Sequence, residues 1–251
     1  MDEALQMDGI VRCGRYAFGP NRFHYCGPDA SREIKACIDN NINDYPLKKL
    51  LEQFKNLFPY LRLIATENKI ADPFDNRVVE AYWLGNYYLK NVEKRPYDQF
   101  IRTGIRAKEK MKSREFDWLE EKIGQGALPH HSFHVFNVWA KTIDLPGGEA
   151  KALFNMDECR ISSGRIQSTN GPEIMVKTEP LLYSQGKIFL GQPVSRTITR
   201  KLEAEYDIEN LKPGQIISIH WSQPCEVITE AQATRLRQFT MASIKFANQT
   251  M

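Results

Sequence analysis

From Asp29 to about residue 123, apolar side chains recur every three or four positions, the spacing of helices that bury one face. Asp29 or Ser31 can cap a helix that puts Ile34, Cys37 and Ile38 on one side. Leu47, Leu50, Leu51, Phe54, Leu57 and Phe58 predict a second helix from about Pro46 to Thr66, with Pro59 kinking or dividing it. A third follows Asp75 with Val78, Val79, Tyr82 and Trp83 inward, and Glu80 either solvated or, if buried, in need of a partner. Residues 90–114 read as one amphipathic surface helix, and Phe116 to Ile123 as a short helix stopped by Gly124-Gln-Gly126. Ahead of these, residues 11–28 are crowded with Gly, Pro and aromatics and read as an ordered loop.

Beyond residue 150 the period changes to two. Residues 159–168, 173–179, 181–190, 193–200 and 215–222 alternate as strands do, with Asn170-Gly171 and Gln185-Gly186 as hairpin turns. Thr229-Glu-Ala-Gln232 opens a terminal helix. The Pro-Gly-Gly stretch of Asp144–Glu149 places a domain boundary between about 145 and 156. The predicted fold class is α+β: a mainly helical domain over residues 1–150, then a small antiparallel β-barrel with a C-terminal helix over 156–251.

Composition narrows the function classes. The 34 basic and 31 acidic residues leave a net charge of +3, too small for a nucleic-acid footprint. No apolar run reaches the length of a membrane span, and the acidic start MDEALQMDG lacks the charge pattern of a signal peptide, so the expected location is cytoplasmic. Five cysteines at irregular spacing then point to reduced thiols. P-loop, GxGxxG, GxSxG and HExxH motifs are all absent.

The chemistry-bearing residues fall in three places. His130, His131 and His134 lie within five residues of one another. On a helix His134 is i+4 from His130 and i+3 from His131, whereas on a strand His130 and His134 share a face. Either arrangement offers two imidazoles, as a metal half-site or an acid/base pair. His24 and Cys26 flank Tyr25 and share a side if the loop is extended. For both groups the alternative is simple packing among aromatics. Cys159 and His220 form the third place: thiolate and imidazole together suit iron, nickel or zinc.

The order Cys159, Gly164, Pro213-Gly214, His220, then a terminal helix resembles the small NiFe-hydrogenase maturation chaperones of the HypC/HupF type. The resemblance departs from that family where Cys159 is internal rather than leading the chain, and where Gln215 stands in place of the family's Asp. It implies a small barrel whose cysteine and histidine handle an iron centre while a larger partner completes the chemistry. The stretches His24–Pro28, Asp72–Trp83 and His130–Phe136 further resemble an uncharacterised bacterial family met near NiFe-hydrogenase genes. The expected role is an accessory or assembly protein contacting a hydrogenase maturation protein or hydrogenase subunit. Two alternatives stand beside it: a metal-dependent enzyme using the histidine cluster with His24 or Cys26, and a non-catalytic binding scaffold. The first places metal at Cys159 and His220, the second at the histidines, and the third nowhere.

Overall fold

A computed structural model describes residues 7–140, 148–200 and 211–251. Most of the expected linker therefore lies outside the described residues. The class is α+β with antiparallel sheets.

Helix α1 (Gly9–Arg22) occupies most of the stretch that reads as a loop. Asp8 caps it through hydrogen bonds from the Ile10 and Val11 amides, and Val11, Cys13, Tyr16 and Ala17 are buried along it. The chain reads as a loop because glycines sit where α1 is crowded. A Cβ at Gly19 would come within 2.8 Å of the His220 carbonyl oxygen.

Helices α2 (Ser31–Asp39), α3 (Tyr45–Glu52), α4 (Phe58–Glu67) and α5 (Asn76–Trp83) follow, and Pro59 in the first turn of α4 divides the long apolar stretch. Residues 90–114 are not one helix. They hold α6 (Lys94–Gln99), a wide π-type continuation over Phe100–Gly104, and α7 (Ala107–Lys110), broken by Arg106 at φ +55°. Tyr97, Ile101 and Ala107 are buried, so this stretch packs inward instead of lying on the surface. Next come α8 (Ser113–Gly124) and α9 (His131–Phe133), which runs on as a π-type turn over His134–Trp139.

Helix α10 (Gly148–Cys159) takes Cys159 out of the strand expected to begin there; β1 is Ser162–Asn170. Strands β2 (Glu173–Thr178), β3 (Leu181–Ser184), β4 (Lys187–Leu190), β5 (Val194–Thr199) and β6 (Ile216–His220) match the alternating stretches. Strand β7 (Gln223–Ile228) has no counterpart in the sequence reading, because Pro224 interrupts its pattern. It is accommodated at a bulge, where Ile219 pairs with Pro224. Helix α11 (Glu230–Ala247) opens where expected, with a capping box formed by Thr229 and Gln232.

The expected closed barrel does not form among the described residues. Five strands pair antiparallel in the order β5-β2-β1-β6-β7, while β3 and β4 pair only with each other. The hairpin leaves the sheet because Leu181 and Ile188 bury with Phe136, Trp139, Met156 and Ile244 from α9, α10 and α11. The main core joins the helices to the strand-rich half, running from Tyr16, Leu51, Tyr82 and Phe133 to Ile161, Ile216, Cys225 and Leu236.

Charge is buried at that junction. Arg12 of α1 bonds Glu226 of β7 at 2.8 Å, and the Tyr16 hydroxyl bonds the same carboxylate at 2.7 Å. Burial opposes the charge on Arg12, but Glu226, Tyr16 and Glu80 outweigh it and raise its pKa. Glu80, partly buried, has the partners it needs in Arg12 and Arg235. This network fixes α1 against the sheet, with Gly19 directly beneath the β6–β7 turn.

Candidate metal centre

Four chain segments meet at one partly open, largely apolar cavity of about 40 Å³, large enough for an ion or a water molecule. His131 comes from the start of α9, Cys159 from the last turn of α10, His220 from the end of β6, and Cys26 from the loop after α1. One ligand atom each from His131, Cys159 and His220 lies within 4.8 Å of the others. A shared tetrahedral ion, with metal–nitrogen bonds of about 2.0 Å and metal–sulfur bonds of about 2.3 Å, would hold these atoms about 3.3–3.6 Å apart, a spacing that modest side-chain adjustment would reach.

His220 is held for ligation. Its Nδ1 lies 2.7 Å from the Tyr16 carbonyl oxygen, which can only accept, so Nδ1 carries the proton and Nε2 the lone pair. Nε2 is buried and has no hydrogen-bond partner. A buried acceptor left unpaired costs about 1–3 kcal/mol, and a metal bond would satisfy it. His131 is held at both nitrogens: Nε2 is 2.9 Å from the Cys159 carbonyl oxygen and Nδ1 3.2 Å from the Tyr82 hydroxyl. The same reasoning puts its proton on Nε2 and its lone pair on Nδ1, where it accepts from the Tyr82 hydroxyl, so a metal bond to His131 would replace that hydrogen bond.

Aromatic rings enclose the site. Trp83 packs 4.5 Å from the His131 ring and 5.5 Å from His220, while Tyr25 stacks on Trp221 at 4.4 Å. Trp221 and Ser222 both adopt positive φ, an uncommon backbone for such residues, in the tight β6–β7 turn. Glu158 supports that turn: its backbone carbonyl accepts from the Trp221 amide at 2.8 Å, and its carboxylate accepts from Ser222 Oγ and pairs with Arg196. Cys159 is the next residue, so one local network places both the thiol and the histidine-bearing turn.

Burial sets the protonation states. It pushes His220 down to about 4 against the opposing pull of the Tyr16 and Cys159 carbonyls. It also takes His131 well below its usual range, helped by His220 and His134. The Cys159 thiol is pushed up by burial, with Trp221 opposing, and Cys26 is pushed up to about 11. At neutral pH the imidazoles are therefore neutral lone-pair donors. The thiolate–imidazolium pair of a cysteine nucleophile is disfavoured on both sides. A bound cation reverses the balance for sulfur, because a coordinating thiol is deprotonated outright.

The three sequence-level groups are thus partly merged. His134 lines the same cavity, edge-on to Tyr60 with Nδ1 3.1 Å from its hydroxyl. His130 turns away: it caps α9 through the Ser132 amide and stacks on Phe239 at 5.0 Å. His24 is exposed, 3.5 Å from the Asp29 carboxylate, and takes no part. Sequence reasoning missed Tyr82, Trp83 and Trp221 as walls of the site and the Tyr16 carbonyl as the group that orients His220. A backbone carbonyl leaves no trace in a sequence. The tryptophan next to His220 was the one available signal.

Among the described residues no helix is long and apolar enough to cross a membrane. Neither the curated proteins nor the solved structures hold a match to this chain. Cys26, His131, Cys159 and His220 all fall within residues 5–251, the span matched by the model of a family of unknown function (DUF6390), and the chain belongs to that family.

Proposed function

We propose that the protein binds one first-row transition-metal ion through His131, Cys159 and His220 and acts as a metal-handling accessory protein. Two observations carry this reading: one ligand atom each of His131, Cys159 and His220 lies within 4.8 Å of the others, and Nε2 of His220 is buried without a hydrogen-bond partner. Neutral imidazole and thiolate are ligands that iron, nickel and zinc accept alike. Iron and a place in NiFe-hydrogenase assembly come from the resemblance carried by Cys159, Gly164, Pro213-Gly214 and His220. The adjacency of Cys159 and His220 supports that choice, since these are the two residues to which the resemblance assigns the iron. Anaerobic capture with iron-loaded protein tests it: a hydrogenase maturation protein or hydrogenase subunit should be retained by the native chain and lost with His220→Ala. Capture that ignores this substitution contradicts the reading.

A metal-dependent enzyme is the second reading, favoured by the number of ligands. Three protein ligands leave a coordination position open, as catalytic zinc sites do, and the cavity has room for a water there. Turnover by the metal-loaded protein of a hydrolysable ester or amide, abolished by Cys159→Ser, would favour it over the accessory role.

A further inference from the structure

The cavity walls carry no carboxylate: they are aromatic and aliphatic side chains, Asn56, three histidines and two cysteines. A divalent ion bound by His131, His220 and the Cys159 thiolate would keep one uncompensated positive charge in this largely apolar pocket. An isolated buried charge is among the least tolerable features of a protein interior. The other wall residue able to supply a negative charge as a soft ligand is Cys26.

Resting on the metal-site reading above, we infer that Cys26 is the fourth ligand, completing a neutral two-histidine, two-thiolate centre. The loop bearing it is positioned for that. Asn21 Nδ2 donates to the Cys26 carbonyl at 2.8 Å and to the Pro28 carbonyl at 2.5 Å, and Tyr25 stacks on Trp221 beside the site. Gly27, at φ +83°, lies so close to the Phe54 ring that a Cβ would sit 2.3 Å from it, which seats the loop against the helical core. Cys26 lines the cavity without belonging to the compact group of His131, Cys159 and His220, so its sulfur would have to move inward to join them on a shared ion. Binding forms two metal–sulfur bonds and releases two thiol protons to solvent, with no change of oxidation state. A tetrahedral set of two nitrogens and two sulfurs suits zinc as well as iron, and it fills the ion's coordination shell. That shell fits holding and handing over a metal better than activating a water.

The test is anaerobic titration of the metal-stripped full chain with Co²⁺, reading the sulfur-to-cobalt charge-transfer band and the visible tetrahedral bands. The native protein should show a two-thiolate band, and Cys26→Ser and Cys159→Ser should each reduce it to about half, in proportion to the thiolates left. Cys26→His should keep the tetrahedral bands with one thiolate. Proton release by the native chain, measured by calorimetry in buffers of different ionisation heat, should be two per cobalt; this needs no variant to fold. An unchanged band in Cys26→Ser, or release of a single proton, overturns the role of Cys26 and leaves the three-residue site standing. Failure of the native chain to bind cobalt overturns both.

Discussion

His220 Nδ1 donates to the Tyr16 carbonyl oxygen at 2.7 Å, tying the end of β6 to the middle of α1 and leaving Nε2 as a buried lone pair. One backbone acceptor thus fixes the tautomer, and the tautomer decides which nitrogen keeps its lone pair. Replacing His220 with Ala removes the ligand together with the unpaired acceptor. We expect metal affinity to fall by about tenfold or more, the scale of an altered ligand environment. The unfolding free energy of the metal-free protein should drop by about 1–3 kcal/mol for the lost hydrogen bond and packing. Metal titration and urea denaturation of the same variant check the two effects separately.

Stability of the metal-free fold should depend on the buried imidazoles. Burial holds His220 at about 4 and His130 and His134 at about 3, below the ordinary value near 6.5. The unfolded chain therefore binds more protons than the folded one as pH falls below 6.5. Stabilisation is complete above that value and is lost as pH drops toward the folded values. Urea midpoints measured in chelator should fall steadily from pH 6.5 to pH 4; a flat profile over that window contradicts the buried, neutral state.

Gly19 marks the closest approach of α1 to the site. A Cβ there would meet the His220 carbonyl oxygen at 2.8 Å and the Trp221 Cβ at 3.1 Å, and backbone cannot give way as a flexible side chain can. Gly19→Ala should destabilise the protein by about 1–3 kcal/mol and weaken metal binding by shifting the turn. Gly124→Ala, where nothing lies within 4 Å, should be neutral or slightly stabilising. Thermal melts of the pair provide the check.

The Arg12–Glu226 pair joins the two halves of the chain. Glu226→Ala leaves the Arg12 guanidinium and the Tyr16 hydroxyl without their main buried acceptor. A loss of about 3–5 kcal/mol is expected, moderated by the bonds Arg12 keeps to Asn76 and Glu80. A loss below about 1 kcal/mol in chemical denaturation would show that the junction does not depend on this charge.

Period alone made the α+β class and most helices and strands legible, because one-sided burial writes itself into the order of apolar residues. It failed where burial has other origins. Helix α1 is apolar and glycine-rich since it is crowded by β6, α2 and the segment ahead of α5, and β7 hides behind Pro224. Among the described residues the barrel does not close, and the apolar side chains of β3 and β4 have a second partner in α9, α10 and α11, a choice of partner that no strand pattern encodes. At the site, the clustered histidines were visible but not their division of labour. Helix geometry selected His131 and His134 for the cavity and gave His130 to the cap. Cys26 and Cys159, 133 positions apart in sequence, reach one cavity only through tertiary structure.

The central claim is that His131, Cys159 and His220 hold a metal ion. Elemental analysis of protein purified anaerobically, set beside His131→Ala, Cys159→Ser and His220→Ala prepared identically, tests it most directly. The account predicts about one equivalent of a first-row metal in the native chain and loss of most of it in each variant, with helical and sheet signals in circular dichroism retained. A native chain with no metal that also takes up none when iron, nickel or zinc is supplied, or variants that keep the full equivalent, would contradict it.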